Sequence, residues 1–167
     1  MTLGEITMVR QIYGNAILYS RVWIHCDSYL PFGLQHQNYA MTSNGELWFR
    51  KPLYRADFSA ANVIIEDKHL FIHELGHVWQ HQYGQWVRLR GLLSWAAEYT
   101  YRLDKEKLTD YTLEQQASIM ADYWLLIVYG LEKWSYYQRD GRMGKYRGND
   151  GLQDIASLYR KIVTGRS

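Results

Sequence analysis

Along residues 67–83 the apolar positions Phe71, Leu75 and Val78 recur at intervals of four and three, the repeat of one helix face. Comparable patterning covers 85–101, 112–130 and 152–163, separated by short polar or glycine breaks. A further short helix is predicted over 3–14, where Ile6, Val9, Arg10 and Tyr13 keep helical spacing and Gly14 supplies the stop. Two stretches break this habit. Residues 21–26, Arg-Val-Trp-Ile-His-Cys, are β-branched and aromatic and alternate weakly, which suits a strand. After a loop with Pro31 and Gly33, an Asn44-Gly45 turn stands directly before a second short strand, 46–50, so the two strands can share a small sheet. The pattern as a whole predicts an α+β fold, mainly helical, with a small N-terminal sheet and four to five helices.

A length of 167 residues with 47% hydrophobic side chains suits one domain, 1–167, with a real core. Two prolines and the lack of a Gly/Ser tract or charge block argue against an internal linker. The 19 basic and 17 acidic residues are scattered, so no basic stripe points to nucleic acid. Cys26 is the sole cysteine, which excludes an internal disulfide and a thiolate metal site. The first residues lack a basic region followed by an apolar stretch, and no apolar run approaches about 18 residues. The expectation is therefore neither signal-peptide export nor membrane spanning. Fifteen tyrosines and seven tryptophans are an unusual number and read as an aromatic core with partial exposure, some rings being suited to a groove or partner surface.

The strongest chemical signal is His73-Glu74-Leu75-Gly76-His77, an H-E-x-x-H sequence inside the predicted 67–83 helix. Residues four apart lie one above the other on a helix, so His73 and His77 can aim ring nitrogens at one zinc ion about 2.0–2.1 Å away. Glu74 lies beside them, where its carboxylate can reach a water on that ion without displacing it. Gly76 costs about 1 kcal/mol in a helix interior and suggests a close backbone neighbour. His77 and His81 have the same spacing and form an alternative pair, but Val78 stands where that pair would need a base.

A catalytic zinc takes a third protein ligand and keeps one position open. Thr112 and Gln115 make a capping-box pattern that places Glu114 in the first turn of a helix. Glu114, Ser118, Ala121 and Leu125 then share a face of small residues, and Asp122 lies to its side, suited to accept a ring N–H from a ligand histidine. Spacing alone leaves Glu98, Asp110 and Asp122 as rivals to Glu114.

With these residues in view, the chain resembles the metallopeptidase-like proteins associated with VgrG and Rhs elements of bacterial type VI secretion systems. It resembles more loosely the zinc-peptidase-like domains of other contractile injection systems. The resemblance spans residues 2–130 and rests on Leu3-Gly4-Glu5-Ile6, Tyr19-Ser20-Arg21-Val22, Met41-Thr42-Ser43-Asn44-Gly45, His73 to Gln82, and Asp110-Tyr111-Thr112-Leu113-Glu114-Gln115-Gln116-Ala117. It implies a zincin-like domain with zinc as cofactor and Glu114, from a downstream helix, as third ligand. It also implies an antibacterial effector that lacks a signal peptide, is carried by the secretion apparatus and acts in the target-cell periplasm. Its implied partners are a secretion-spike component and an immunity protein.

The chemistry expected of this set is zinc-assisted amide hydrolysis with Glu74 as general base and as proton carrier to the leaving amine. Tyr99, Tyr101 and Tyr123 are candidate donors to the oxyanion, His81 a candidate for the cleft rim, and 46–50 a candidate edge strand for an extended peptide. His25, His36 and His69 read as ordinary packing or surface residues. The substrate is either a protein or a peptidoglycan cross-link. The contrasting reading is a noncatalytic interaction module with an aromatic docking surface and a structural or vestigial metal site, and the intact Glu74 weighs against it.

Overall fold

Thr2 opens the chain with a reciprocal cap: its Oγ1 accepts from the Glu5 amide at 3.0 Å while Glu5 accepts from the Thr2 amide at 2.8 Å. Helix α1, Leu3–Tyr13, follows and ends at Gly14. The second Glu5 oxygen accepts from the Phe58 amide at 3.0 Å, so this carboxylate is buried with both oxygens satisfied. A side chain at Gly4 would collide with the Ser59 hydroxyl, which accounts for glycine in a helical first turn.

The computed structural model describes residues 1–85, 98–149, 151 and 154–165. The chain forms two compact units, Met1–Trp95 and Ala96–Ser167. Four α-helices and a three-stranded sheet are present among the described residues, the mainly helical α+β class that the patterning predicts.

In the first unit the strands are β1, Ile24–His25, β2, Met41–Ser43, and β3, Glu46–Trp48, in the order β1-β3-β2. The expected pairing of the first strand with the 46–50 segment is present and parallel, although both strands are shorter than predicted. The sequence pattern missed β2. Asn44 and Gly45 take φ 54 and 79, the positive values of a two-residue hairpin, so the turn returns the chain along β3 and sets Thr42 opposite Leu47. One expectation is corrected here: β3 is hydrogen-bonded on both sides, so 46–50 is the central strand and not the edge.

Helix α2, Ile65–Gln82, begins two residues before the predicted start, with Glu66 and Asp67 in the first turn, where the helix dipole favours acids. Arg55 pairs with Asp67 at 2.7 Å. The predicted apolar face is present, with Phe71, Leu75 and Val78 fully buried. Phe71 stacks on Phe58 with centroids 4.4 Å apart, and Phe49 joins them. Burial of each such ring contributes about 1.5–3 kcal/mol. The Tyr13 hydroxyl donates to the Ile72 carbonyl at 3.1 Å and ties α1 to α2.

In the second unit, α3, Leu113–Asp140, contains a non-helical Gly130 at φ 82, so the predicted end at residue 130 coincides with a true break, after which helix resumes. Helix α4, Ile155–Thr164, lies within the predicted 152–163 segment apart from its last residue. Trp124, Trp134, Ile155 and Tyr159 are almost fully buried and make the core of this unit. The helix predicted over 85–101 falls mostly on 86–97, outside the described residues. Its last positions, 98–101, are not helical. Tyr101 instead bridges Tyr146, accepting from the Arg147 amide at 2.8 Å, because a Tyr-Thr-Tyr run suits extended backbone as well as helix. No described helix is long and apolar enough to cross a membrane.

Candidate metal centre

Helix α2 carries His73 and His77 away from its Phe71–Leu75–Val78 face, with Glu74 on the flank between them. The two imidazoles stand with centroids 5.1 Å apart and planes 83° apart, as neighbours one turn apart on a helix must. His77 is buried, and its Nδ1 lies 2.9 Å from the side-chain oxygen of Gln80, itself fully buried. An amide oxygen only accepts, so the Nδ1 carries the proton and the Nε2 keeps its lone pair for a ligand. Sequence reasoning passed over Gln80, although its position three residues after His77 puts it within reach on the same helix.

Glu74 is buried, and its Oε2 accepts from the Thr42 hydroxyl of β2 at 2.6 Å. The helix and the hairpin are also pressed together at their ends. A Cβ on Gly45 would lie 2.7 Å from His81 Cδ2, so the His81 ring occupies the space that glycine leaves open. Gly45 is thus required twice, for its positive φ and for this approach. His81 packs on the hairpin turn, a position that sequence spacing alone did not indicate.

In the second unit Thr112 caps α3 as predicted, its Oγ1 accepting from the Gln115 amide at 3.3 Å while Gln115 accepts from the Thr112 amide at 3.2 Å. Glu114 follows in the first turn and is buried, as are Ser118, Ala121 and Leu125 on the same face. The rival carboxylates have other surroundings. Glu98 and Asp110 are exposed, and Asp110 accepts from the Lys107 amide. Asp122 has no exposed surface and accepts from the Tyr101 hydroxyl at 2.7 Å and the Lys145 amide at 3.0 Å.

Of the candidate tyrosine donors, Tyr101 is joined to Asp122 and, at 2.5 Å, to the Tyr159 hydroxyl. Burial first, and then the Asp122 charge, hold its pKa well above the ordinary value of 10.0. Tyr123 stacks on Tyr159 with centroids 5.4 Å apart, and Tyr99 is half-buried. The remaining histidines have structural surroundings: His25 pairs with Glu46 at 2.8 Å and stacks on Trp48, His36 packs edge-on to Tyr39, and His69 is buried.

His73, His77 and Glu114 offer ligand atoms that all lie within 4.8 Å of one another, a group that could hold a metal ion. Two imidazoles and one carboxylate are the donor set of a three-ligand zinc centre with an open fourth position. The Gln80 bond to His77 supplies the orientation that a ligating ring needs.

No protein-family model matches the chain. Over 130 residues it is 39% identical to the type VI secretion system spike protein VgrG2b of Pseudomonas aeruginosa, covering 73% of this chain and 12% of that protein's length. Among solved structures, it is similar to the effector domain of Pseudomonas aeruginosa VgrG2b at a TM-score of 0.66 and 31% identity, over 88% of this chain and 83% of that one.

Proposed function

The chain belongs to the family of the VgrG2b effector domain, and from this premise we propose that it is a type VI secretion effector that hydrolyses amide bonds with zinc. His73, His77 and Glu114 are the metal ligands and Glu74 is the general base. The observation that carries this reading is the convergence of two helical imidazoles and a buried carboxylate within 4.8 Å. A glutamate directly follows the first histidine, which a purely structural site would not need.

When bound, zinc supplies an acidified water and polarises the scissile carbonyl. The residues of this chain supply the rest. Glu74 Oε2 is engaged by Thr42; Oε1 takes the proton from the attacking water and delivers it to the leaving nitrogen. Burial of the carboxylate limits competition from bulk solvent for that proton. The substrate is a peptide bond of a protein or of a peptidoglycan cross-link in the periplasm of the target cell. The partners of this reading are a secretion-spike component and an immunity protein.

The test is expression directed to the periplasm of a susceptible bacterium, wild type against Glu74→Gln, with zinc measured on both purified proteins. The substitution keeps shape and zinc and is expected to abolish killing. Killing by Glu74→Gln equal to wild type would refute the enzymatic reading. Zinc-dependent release of muropeptides during wild-type killing would assign the wall as substrate, and killing without it would assign a protein.

A further inference from the structure

Thr42 lies at the middle of β2, and its hydroxyl meets Glu74 in two ways. It donates to the Oε2 of the carboxylate at 2.6 Å and stands 3.2 Å from the main-chain carbonyl of the same residue. A hydroxyl has one proton, and the shorter, charge-assisted contact takes it. The carboxylate is therefore fixed relative to the helix backbone at its own position. Free rotation about the last bond of a glutamate is broad, so without such a contact the two oxygens would exchange places readily.

The hydroxyl is itself held in place by three features. Thr42 is paired with Leu47 of the central strand, and Leu47 is fully buried. The Asn44–Gly45 turn fixes the register of that pairing. The close approach of His81 to Gly45 then anchors the hairpin to the same helix that carries Glu74. A one-residue slip of β2 would turn Thr42 to the opposite face of the sheet and remove the donor. The strand absent from the sequence-based reading is thus the element that orients the base.

We infer that Thr42 is a positioning residue: its hydroxyl occupies Oε2 of Glu74 and so presents Oε1 to the proton that the base must accept. The inference rests on the proposed role of Glu74 and adds a residue to it. Valine at this position keeps shape and strand propensity but leaves a buried carboxylate oxygen without its donor, whereas serine keeps the hydroxyl.

The probe is acetohydroxamate, which chelates zinc through two oxygens and gives up a proton that a correctly placed neighbouring carboxylate accepts. Its dissociation constant is measured calorimetrically on the zinc-loaded full chain for wild type, Thr42→Val, Thr42→Ser and Glu74→Gln, with zinc stoichiometry determined for each. Thr42→Val is expected to retain one zinc and bind the probe about tenfold more weakly or worse, the usual effect of losing a hydrogen bond to a charged group. Thr42→Ser is expected to bind like wild type. Should the valine variant not fold, Thr42→Ala is read in the same way. Wild-type affinity in the variant that lacks the hydroxyl overturns the inference, as does a serine variant as weak as valine, which would indicate packing by the methyl group. If Thr42→Val alone is silent while Glu74→Gln weakens binding, only the role of Thr42 falls. If wild type takes no zinc, or Glu74→Gln binds like wild type, the underlying reading of the centre falls with it.

Discussion

Three residues apart on α2, the Nδ1 of His77 and the side-chain oxygen of Gln80 meet at 2.9 Å with both residues buried. The bond selects the tautomer in which Nε2 is the available ligand atom. Gln80→Leu, close in size and without the acceptor, is expected to weaken zinc binding about 10- to 100-fold, the usual cost of losing an outer partner of a ligand histidine. Competition with a chromogenic chelator reads this directly. Unchanged affinity would mean that His77 does not depend on Gln80 for its orientation.

The residues within one helix were legible from spacing alone, because His73, Glu74, His77 and the Phe71–Leu75–Val78 face follow from a single period. The cap at Thr112 was legible for the same reason, since a capping box is written within four residues. Thr42 was not. Its link to Glu74 joins residues 32 apart, and it depends on a strand of three residues that carries no periodic signal. The 46–50 segment was misplaced at an edge because strand order is set by which hairpin closes on which helix, and no local pattern records that. That Tyr101 and Lys145 bond to Asp122 was not legible either, because the bridge that brings them to it has no sequence signature.

Tyr101 and Tyr159 give the second unit a predictable response to alkali. Both hydroxyls are buried, and desolvation first, then the Asp122 charge, raise their pKa values well above the ordinary 10.0. The unfolded phenols ionise near pH 10 while the folded ones stay protonated. Stability from these groups is therefore fully present below about pH 10. It is lost as pH rises above 10 toward the raised folded values, each phenol costing about 1.36 kcal/mol for every further pH unit. Thermal unfolding followed from about pH 8 to 11 is expected to show a midpoint that falls beyond pH 10. Phenolate absorbance should rise in two stages, the second coincident with unfolding. Titration of all fifteen tyrosines near pH 10 with the fold intact would contradict this.

The assignment of Glu114 as third ligand makes a prediction that separates it from the exposed rival carboxylates, Glu98 and Asp110. Glu114 is buried in the capped first turn of α3, while Glu98 and Asp110 are exposed and Asp122 already accepts from Tyr101 and the Lys145 amide. Removing a ligand costs more than removing its orienting partner. Glu114→Ala is thus expected to weaken zinc binding beyond the roughly 10- to 100-fold assigned to outer partners. Glu98→Ala and Asp110→Ala should leave it unchanged, because exposed carboxylates outside the ligand cluster contribute little. Glu114→Asp, one methylene shorter, should fall between alanine and wild type, because it keeps the charge but draws the oxygen back from the two imidazoles. All four proteins are compared by zinc content after dialysis against a graded chelator, with helical circular dichroism as the check on folding. Full zinc retention by folded Glu114→Ala, or loss of zinc in Glu98→Ala or Asp110→Ala alone, would move the third ligand elsewhere.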